Sequence, residues 1–275
     1  MNARAVAAWS CAAIVIALAT SNPVYKAAVV VAAFAVLAAA AGLGRMRRLI
    51  VGVTLLALID ILLNFVSAHL GRTVLFALPD AIPALGGPYT VEALAFGGSA
   101  ALTIAAAVLA AAALSLLLAP HEVMDALPGM LSRSGTALSA SLNLVPTITR
   151  SFTDVLEAQR LRGWRPRGAR SWAEVVVPVV LTAAEGSIQL AESMEARGFG
   201  SGIRTRYAPA ALDLGDWIVV ATSIAAVVGF ALARALGWAA EWYAYPSLES
   251  PIVDARVIVF CALLFVPVVL WRKRG

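Results

Sequence analysis

Long runs of apolar residues alternate with short polar segments through most of this chain. Crossing the hydrocarbon core of a bilayer takes roughly 20 apolar residues in a helix, because every backbone polar group must be satisfied within the segment. Six runs approach this length: residues 5–20, 24–41, 49–68, 91–119, 217–236 and 253–271. The pattern therefore predicts an all-α membrane protein with about six transmembrane helices.

The region between the fourth and fifth runs, residues 120–216, differs because arginines and carboxylates recur every few positions. Residues 138–156 carry apolar side chains at three- and four-residue spacing, which is typical of a helix with one apolar face. Residues 175–184 form an apolar run of about ten residues between Glu174 and Glu185, too short for a membrane span. The sequence thus predicts three parts, with four membrane helices in 1–119, long cytosolic-side coupling helices in 120–216, and two membrane helices with a cytosolic tail in 217–275.

The distribution of positive charge predicts the orientation, since cytosolic loops beside membrane helices are enriched in Lys and Arg. With the amino terminus inside, the arginine-rich residues 45–48, 120–216 and 272–274 all fall on the cytosolic side. We therefore expect a multi-pass protein of the bacterial plasma membrane with both termini in the cytosol. The net charge of +5 is then explained by topology signals. A basic stripe that would bind a nucleic acid is not evident.

The composition agrees with a membrane protein and limits its chemistry. Hydrophobic residues make up 61% of the chain and charged residues only 13%, whereas soluble domains carry about a quarter charged residues. Cys11 and Cys261 lie near opposite ends, and the two histidines fall on different predicted sides, so we expect no metal site. Lys26 and Lys273 are the only lysines, and neither follows a P-loop glycine turn. We expect this chain to bind no cofactor itself.

Residues 157–164 (EAQRLRGW) and 192–199 (ESMEARGF) share a short signature of Glu, a small residue, three variable positions, Arg, Gly and an aromatic residue. One copy alone is explained by helix capping, because a cation near the last turn complements the helix dipole and glycine supplies a left-handed cap. Two copies indicate two similar cationic helix ends that dock onto two similar receptors. The candidate docking residues are Glu157, Arg162, Gly163, Trp164, Glu192, Ala196, Arg197, Gly198 and Phe199.

Arginine suits such a helix end because its guanidinium is always charged and bonds carboxylates and carbonyls in a fixed fork. The glycine would let the chain turn away sharply, so that the helix end enters a groove of the receptor. Trp164 or Phe199 would then fill an apolar pocket beside it.

Asp60 and Asn64 are four positions apart in the third apolar run, so they share one face of the predicted helix. An ionisable residue within a span is a candidate functional residue. We favour a hydrogen-bonded pair between helices, and the alternative is a contact with a partner protein.

The two arginine-glycine motifs resemble those of the transmembrane coupling component, or T component, of energy-coupling-factor (ECF) importers. That family also includes the membrane subunit of cobalt and nickel transporters of this type. The resemblance covers residues 22–271 and rests on residues 157–163, residues 193–199 and the spacing between them. Leu161 departs from the family's usual alanine before the first arginine. Weaker matches are residues 21–26, which lack the family's usual Asp and Arg, and residues 120–122 and 144–146.

The resemblance implies a non-catalytic subunit that transmits movement. Members of the family bind two ABC-type ATPase subunits through the arginine-bearing helices, and a separate small membrane protein, the S subunit, captures the substrate. ATP and magnesium would be bound by the partner ATPases. The substrate implied is a vitamin or a transition metal ion, and the S subunit selects it.

Two other functions stay open at this point. A membrane-embedded enzyme would need a nucleophile with a base, paired carboxylates or metal ligands, and neither GxSxG nor HExxH occurs. A self-sufficient carrier with a regulatory cytosolic segment would commonly show repeated halves and interrupted spans, which the sequence does not show. The presence of ATPase genes beside this gene would favour a coupling subunit over both alternatives.

Overall fold

The computed structural model describes residues 2–79, 86–118, 122, 132–198 and 212–272. The chain divides into two compact units, one comprising Met1–Ala126 with Ala210–Gly275 and the other Leu127–Pro209. Helices account for 76% of the structure, and the predicted all-α membrane fold is confirmed.

The helices follow the apolar runs of the sequence. In chain order they are α1 (Ala3–Ala19), α2 (Pro23–Ala40), α3 (Leu43–Ser67), α4 (Val91–Leu117), α5 (Ser132–Leu161), α6 (Ala173–Ala196), α7 (Leu214–Ala235), α8 (Ala255–Ala262) and α9 (Val266–Arg272). Short 3-10 turns, Ala169–Trp172 and Leu263–Phe265, precede α6 and join α8 to α9. Strands β1 (Val74–Leu78) and β2 (Gly87–Thr90) pair antiparallel between α3 and α4. Helices α5 and α6 belong to the second unit, and the other helices and both strands belong to the first.

Polar residues at the breaks between apolar runs fix where the helices begin. The side chains of Asn2, Asn22 and Thr90 each accept a backbone N–H of the following first turn, at 3.1, 3.0 and 3.3 Å. Such caps satisfy N–H groups that have no partner within the helix. Pro23 follows Asn22 at the start of α2, a position where its missing N–H costs nothing.

The core of the first unit is formed by α1, α2, α4 and α7, with α1 contacting both α4 and α7. Trp9 is 1% exposed, and its indole Nε1 donates to the carbonyl of Leu264 at 3.0 Å. The Trp9 ring also packs edge-on against Trp271, with 6.1 Å between centroids. These contacts connect α1 to the segment formed by α8 and α9.

Two glycines mark close approaches between helices of the first unit. A Cβ at Gly229 would lie 2.3 Å from the ring of Phe260, and a Cβ at Gly97 would lie 3.1 Å from the Cα of Ile61. Small residues let membrane helices approach closely. The glycines therefore set the contacts of α7 with α8 and of α4 with α3.

The turn between α1 and α2 is buried and holds three parts of the first unit together. Asn22 is fully buried and Lys26 is 8% exposed. The Asn22 side-chain amide donates to the carbonyl of Ile252 at 2.9 Å, and Lys26 Nζ donates to the carbonyl and hydroxyl oxygens of Ser99 at 3.3 and 3.0 Å. Residues 21–26, which weakly match the family's early loop, thus connect the turn to α4 and to the segment before α8.

Five helical segments in the described ranges are long and apolar enough to cross a membrane: Pro23–Ala40, Gly44–Ser67, Val91–Leu117, Arg170–Ala196 and Leu214–Ala235. The segments Ala3–Ala19 and Ala255–Trp271 are apolar but shorter. These five segments differ from the six predicted spans in two ways. Residues 170–196 are long and apolar enough to cross a membrane, whereas the two terminal segments are shorter. The helix continues past the end of the apolar run at Glu185 and ends at Ala196, where the second arginine-glycine motif predicted a helix end.

Candidate functional site

The first arginine tip, which we define as Arg162, Gly163 and Trp164, directly follows the end of α5. The N–H of Gly163 donates to the carbonyl of Arg160, and that of Trp164 to the carbonyl of Gln159, both at 3.0 Å. Gly163 has a left-handed φ of 82°. This pair of bonds around a left-handed glycine is a Schellman cap. It places Arg162 at the C-cap position of α5.

The second arginine tip, defined as Arg197 and Gly198, ends α6 in the same way. The N–H of Arg197 donates to the carbonyl of Ser193 at 3.3 Å, and that of Gly198 to the carbonyl of Glu195 at 2.8 Å. Gly198 has a φ of 76°. Arginine therefore occupies the C-cap position and glycine the left-handed position at both tips. Phe199, the aromatic residue predicted to follow, lies outside the described residues.

Both tip arginines are exposed. Within the part of the chain that the structure describes, no hydrogen bond or ion pair holds the guanidinium group of Arg162 or Arg197. A Cβ at Gly163 would meet no atom within 4 Å, so this position favours glycine for its backbone angle and not for lack of space. The cap explains the glycine, whereas the unpaired arginine side chains stay available to a partner.

The remaining residues of the predicted signature lie on the last turns of the two helices. Glu157, Glu192 and Ala196 are exposed. No bond between the described residues links Glu157 to Arg162 or Glu192 to Arg197. The two carboxylates therefore do not neutralise the tip arginines.

Trp164 packs against its own chain. Its ring lies edge-on to Trp172 with 5.4 Å between centroids, and Trp172 stacks with Phe152 at 6.4 Å. The sequence predicted that Trp164 fills an apolar pocket of a partner. That role of Trp164, or of Phe199 at the second tip, stays a prediction. In the structure Trp164 lies in an aromatic cluster that joins the end of α5 to the turn before α6. Neither the spacing nor the composition identified Trp172 and Phe152 as its neighbours.

The two tips lie at opposite ends of α6. The Gln159 side-chain amide donates to the carbonyl of Glu174 at 3.4 Å, which places the end of α5 beside the start of α6. Helix α6 contains 24 residues. At a rise of 1.5 Å per residue, its axis separates the tips by about 36 Å.

Asp60 and Asn64 are joined within α3. The Asn64 side-chain amide donates to the backbone carbonyl of Asp60 at 2.9 Å and to its Oδ1 at 3.3 Å. The predicted hydrogen-bonded pair is therefore present, but it connects successive turns of one helix and not two helices. Asp60 Oδ2 is buried and finds no partner among the described residues. Within the same residues, no group of three or more His, Cys, Asp or Glu side chains is placed to hold a metal ion.

A comparison with protein families gives one match. The family model named CbiQ and described as cobalt transport protein matches residues 3–207, more than half of the 275-residue chain. The match includes α1 to α6 and both arginine tips, and it stops before α7. A comparison with curated proteins gives no match.

Proposed function

Because this chain belongs to the CbiQ family of cobalt transport proteins, we propose that it is the transmembrane coupling subunit of an ECF-type ABC transporter. In this proposal two ABC-type ATPase subunits dock on the arginine tips and bind ATP and magnesium. A separate S subunit in the same bilayer holds the cargo, which is a vitamin or a transition metal ion. The chain itself makes and breaks no bond.

The observation that carries the proposal is the equivalence of the two tips. Each tip presents an exposed guanidinium at a C-cap, followed by a left-handed glycine that turns the chain away from the helix end. An exposed guanidinium forms its strongest hydrogen bonds when carboxylates and carbonyls bind it in a groove of a partner. Two copies of one tip match two copies of one receptor, which is what a pair of similar ATPase subunits provides.

The position of α6 decides whether both tips can be used. If residues 170–196 crossed the membrane, the tips would lie on opposite sides and only one could reach a cytosolic ATPase. The proposal therefore requires α6 to lie along the cytosolic surface, with both termini of the chain in the cytosol. In this arrangement about 36 Å of helix axis separates the two docking points, which leaves room for one ATPase subunit at each.

Contacts within the second unit support a mechanical role for α5 and α6. Val175 and Val179 of α6 are buried, at 0% and 4% exposed. The Phe152–Trp172 stack and the bond from Gln159 to Glu174 join α5 to α6 near the first tip. Because packed helices move as units, displacement of either tip by an ATPase would shift both helices.

Photo-crosslinking tests whether the ATPases contact the tips. With p-benzoylphenylalanine at Leu161 or at Ala196, we expect crosslinks to an ATPase subunit in the assembled complex, since both positions are exposed beside a tip. Matched controls at Thr153 and Ser187 are exposed in the middle of α5 and α6 and should give little product. Equal crosslinking at all four positions, or crosslinks at the mid-helix positions alone, would place the ATPase contact elsewhere.

A further inference from the structure

The loop between α5 and α6 forms an open groove of about 430 Å³ beside the first arginine tip. Its lining residues are Gly163, Trp164, Arg165, Arg167, Ser171 and Glu174. Arg162, the docking residue of the first tip, is not among them. Gly163 and Trp164 belong to the first tip, whereas the charged side chains of the groove, Arg165, Arg167 and Glu174, lie outside it.

The polar atoms of the groove are mainly donors. Arg165 and Arg167 are exposed, and no bond within the described residues holds their guanidinium groups. The indole Nε1 of Trp164 is buried and has no hydrogen-bond partner in the described part of the chain. Glu174 is the single carboxylate in the lining. Two guanidinium groups favour an anion that carries several oxygens, such as a phosphate ester.

The loop has a fixed backbone. Ser171 Oγ accepts the backbone N–H of Arg167 at 2.9 Å and donates to the carbonyl of Gly168 at 2.8 Å. The aromatic contact of Trp164 with Trp172 closes the other side of the loop. The backbone that carries the two arginines of the groove is therefore already ordered. Binding of an anion then costs little backbone conformational entropy.

Charge is concentrated around this groove. Five arginines occur between residues 160 and 170, and no Asp or Glu occurs between Glu157 and Glu174. Clusters of four to eight basic residues beside a membrane helix are typical of segments that bind anionic lipids.

The start of α6 carries an apolar face next to the loop. Val176, Val177, Val180 and Leu181 are 44–59% exposed, and exposed apolar side chains in this amount mark a surface that contacts a membrane or another protein. Whether α6 lies along a membrane or enters it, the first turn of the helix is at the level of the lipid headgroups. Trp172, which is 37% exposed, has the amphipathic ring that favours this level.

We propose that this groove binds the phosphate of an anionic phospholipid in the leaflet beside α6. Arg165 and Arg167 bind the phosphate oxygens, and the acyl chains extend along the exposed valines of α6. A lipid headgroup is favoured over an acidic protein loop because the apolar face begins within three residues of the groove. Arg162 and Arg197 take no part in the site, so lipid binding and ATPase docking can be tested with different variants.

The test is titration of the delipidated full-length chain with phosphatidylglycerol or phosphatidylcholine, followed by native mass spectrometry. We expect Arg165→Gln with Arg167→Gln to weaken phosphatidylglycerol binding about 25-fold, since each arginine near an anionic surface contributes roughly fivefold. Arg72→Gln with Arg150→Gln removes the same charge from exposed positions outside the groove and outside the arginine cluster of residues 160–170. This control should change the affinity by less than about threefold, and phosphatidylcholine should bind all three proteins equally weakly.

Three results would overturn the proposal. An equal loss of phosphatidylglycerol affinity in the two double variants would mean that net charge alone attracts the lipid. Displacement of phosphatidylglycerol by an equal concentration of inorganic phosphate would mean that the groove is a site for free phosphate. Loss of ATPase capture in the Arg165→Gln, Arg167→Gln variant with lipid binding unchanged would make the loop part of the protein contact. Arg165→Lys with Arg167→Lys keeps the charge and should retain most of the lipid affinity.

Discussion

Reversing the charge of both tips, with Arg162→Glu and Arg197→Glu together, is expected to reduce co-purification of the ATPase subunits to background. Each tip offers one unpaired guanidinium to its receptor, and truncating one partner of a buried interfacial charge pair costs about 2–5 kcal/mol. Loss of two such contacts corresponds to at least about a thousandfold in affinity. Tagged chain, co-expressed with its ATPases and purified in detergent, would show the effect directly. Arg162→Glu alone or Arg197→Glu alone should reduce the amount of co-purified ATPase without abolishing it.

The matched control is Arg72→Glu with Arg150→Glu, which makes the same charge change at exposed positions away from both tips. This control should capture ATPase at the level of the unchanged chain. Membrane insertion and elution volume are to be compared for every variant. Full capture by the doubly reversed tips, with the chain inserted and folded, would mean that the two arginines serve only as helix caps.

Replacing Trp9 with alanine should destabilise the first unit by about 3 kcal/mol or more, since truncating a buried aromatic residue in a packed core costs about 3–5 kcal/mol. Trp9 is 1% exposed, contacts Trp271, and donates its indole N–H to the Leu264 carbonyl. Trp9→Ala therefore opens a cavity and also leaves a buried carbonyl without its donor. Thermal unfolding of the purified chain in detergent measures the loss.

Trp9→Phe is the control for this prediction. It removes the hydrogen bond and keeps most of the ring volume, so we expect a loss of about 1 kcal/mol. The comparison tests whether α1 is an integral part of the bundle. If Trp9→Ala left the unfolding midpoint unchanged, the contacts of Trp9 with Leu264 and Trp271 would not contribute to the stability of the first unit.

The sequence predicted the membrane helices well because their boundaries are set by local chemistry. The polar breaks that end the apolar runs also supply the caps Asn2, Asn22 and Thr90, so helix starts fell within a few residues of the expected ones. The start of α3 is an exception. It begins at Leu43, before the arginines that precede its apolar run, because arginine is a good helix former and does not end a helix.

The length of α6 could not be predicted from hydropathy. The run of residues 175–184 ends at Glu185, but the helix continues through Gly186 and Ser187 to Ala196. A carboxylate changes the local polarity without breaking the backbone hydrogen bonds. The second arginine-glycine motif, and not the apolar run, predicted where α6 ends, and the interpretation of α6 as a helix that does not span the membrane stays a prediction.

The backbone of the arginine tips was predictable, whereas their surroundings were not. Arg-Gly at a helix end specifies a left-handed cap from three or four residues, and both Gly163 and Gly198 adopt it. The neighbours of Trp164 depend on how α5 and α6 pack, which involves residues up to 12 positions away in sequence. Similarly, the four-residue spacing of Asp60 and Asn64 fits a bond within one helix as well as one between helices.

The most direct test of the account is which side of the membrane the two tips occupy. In a background with Cys11→Ala and Cys261→Ala, single cysteines at Leu161 and Glu195 would be labelled with a membrane-impermeant maleimide in intact cells and in inverted vesicles. A cysteine at Arg47 serves as the expected cytosolic reference, and one at Leu75, exposed in β1, as the expected outer reference. The account predicts that Leu161→Cys and Glu195→Cys both react only in inverted vesicles, together with Arg47→Cys. Labelling of the two tips from opposite sides would show that α6 crosses the membrane and would contradict docking of two cytosolic ATPases on this chain.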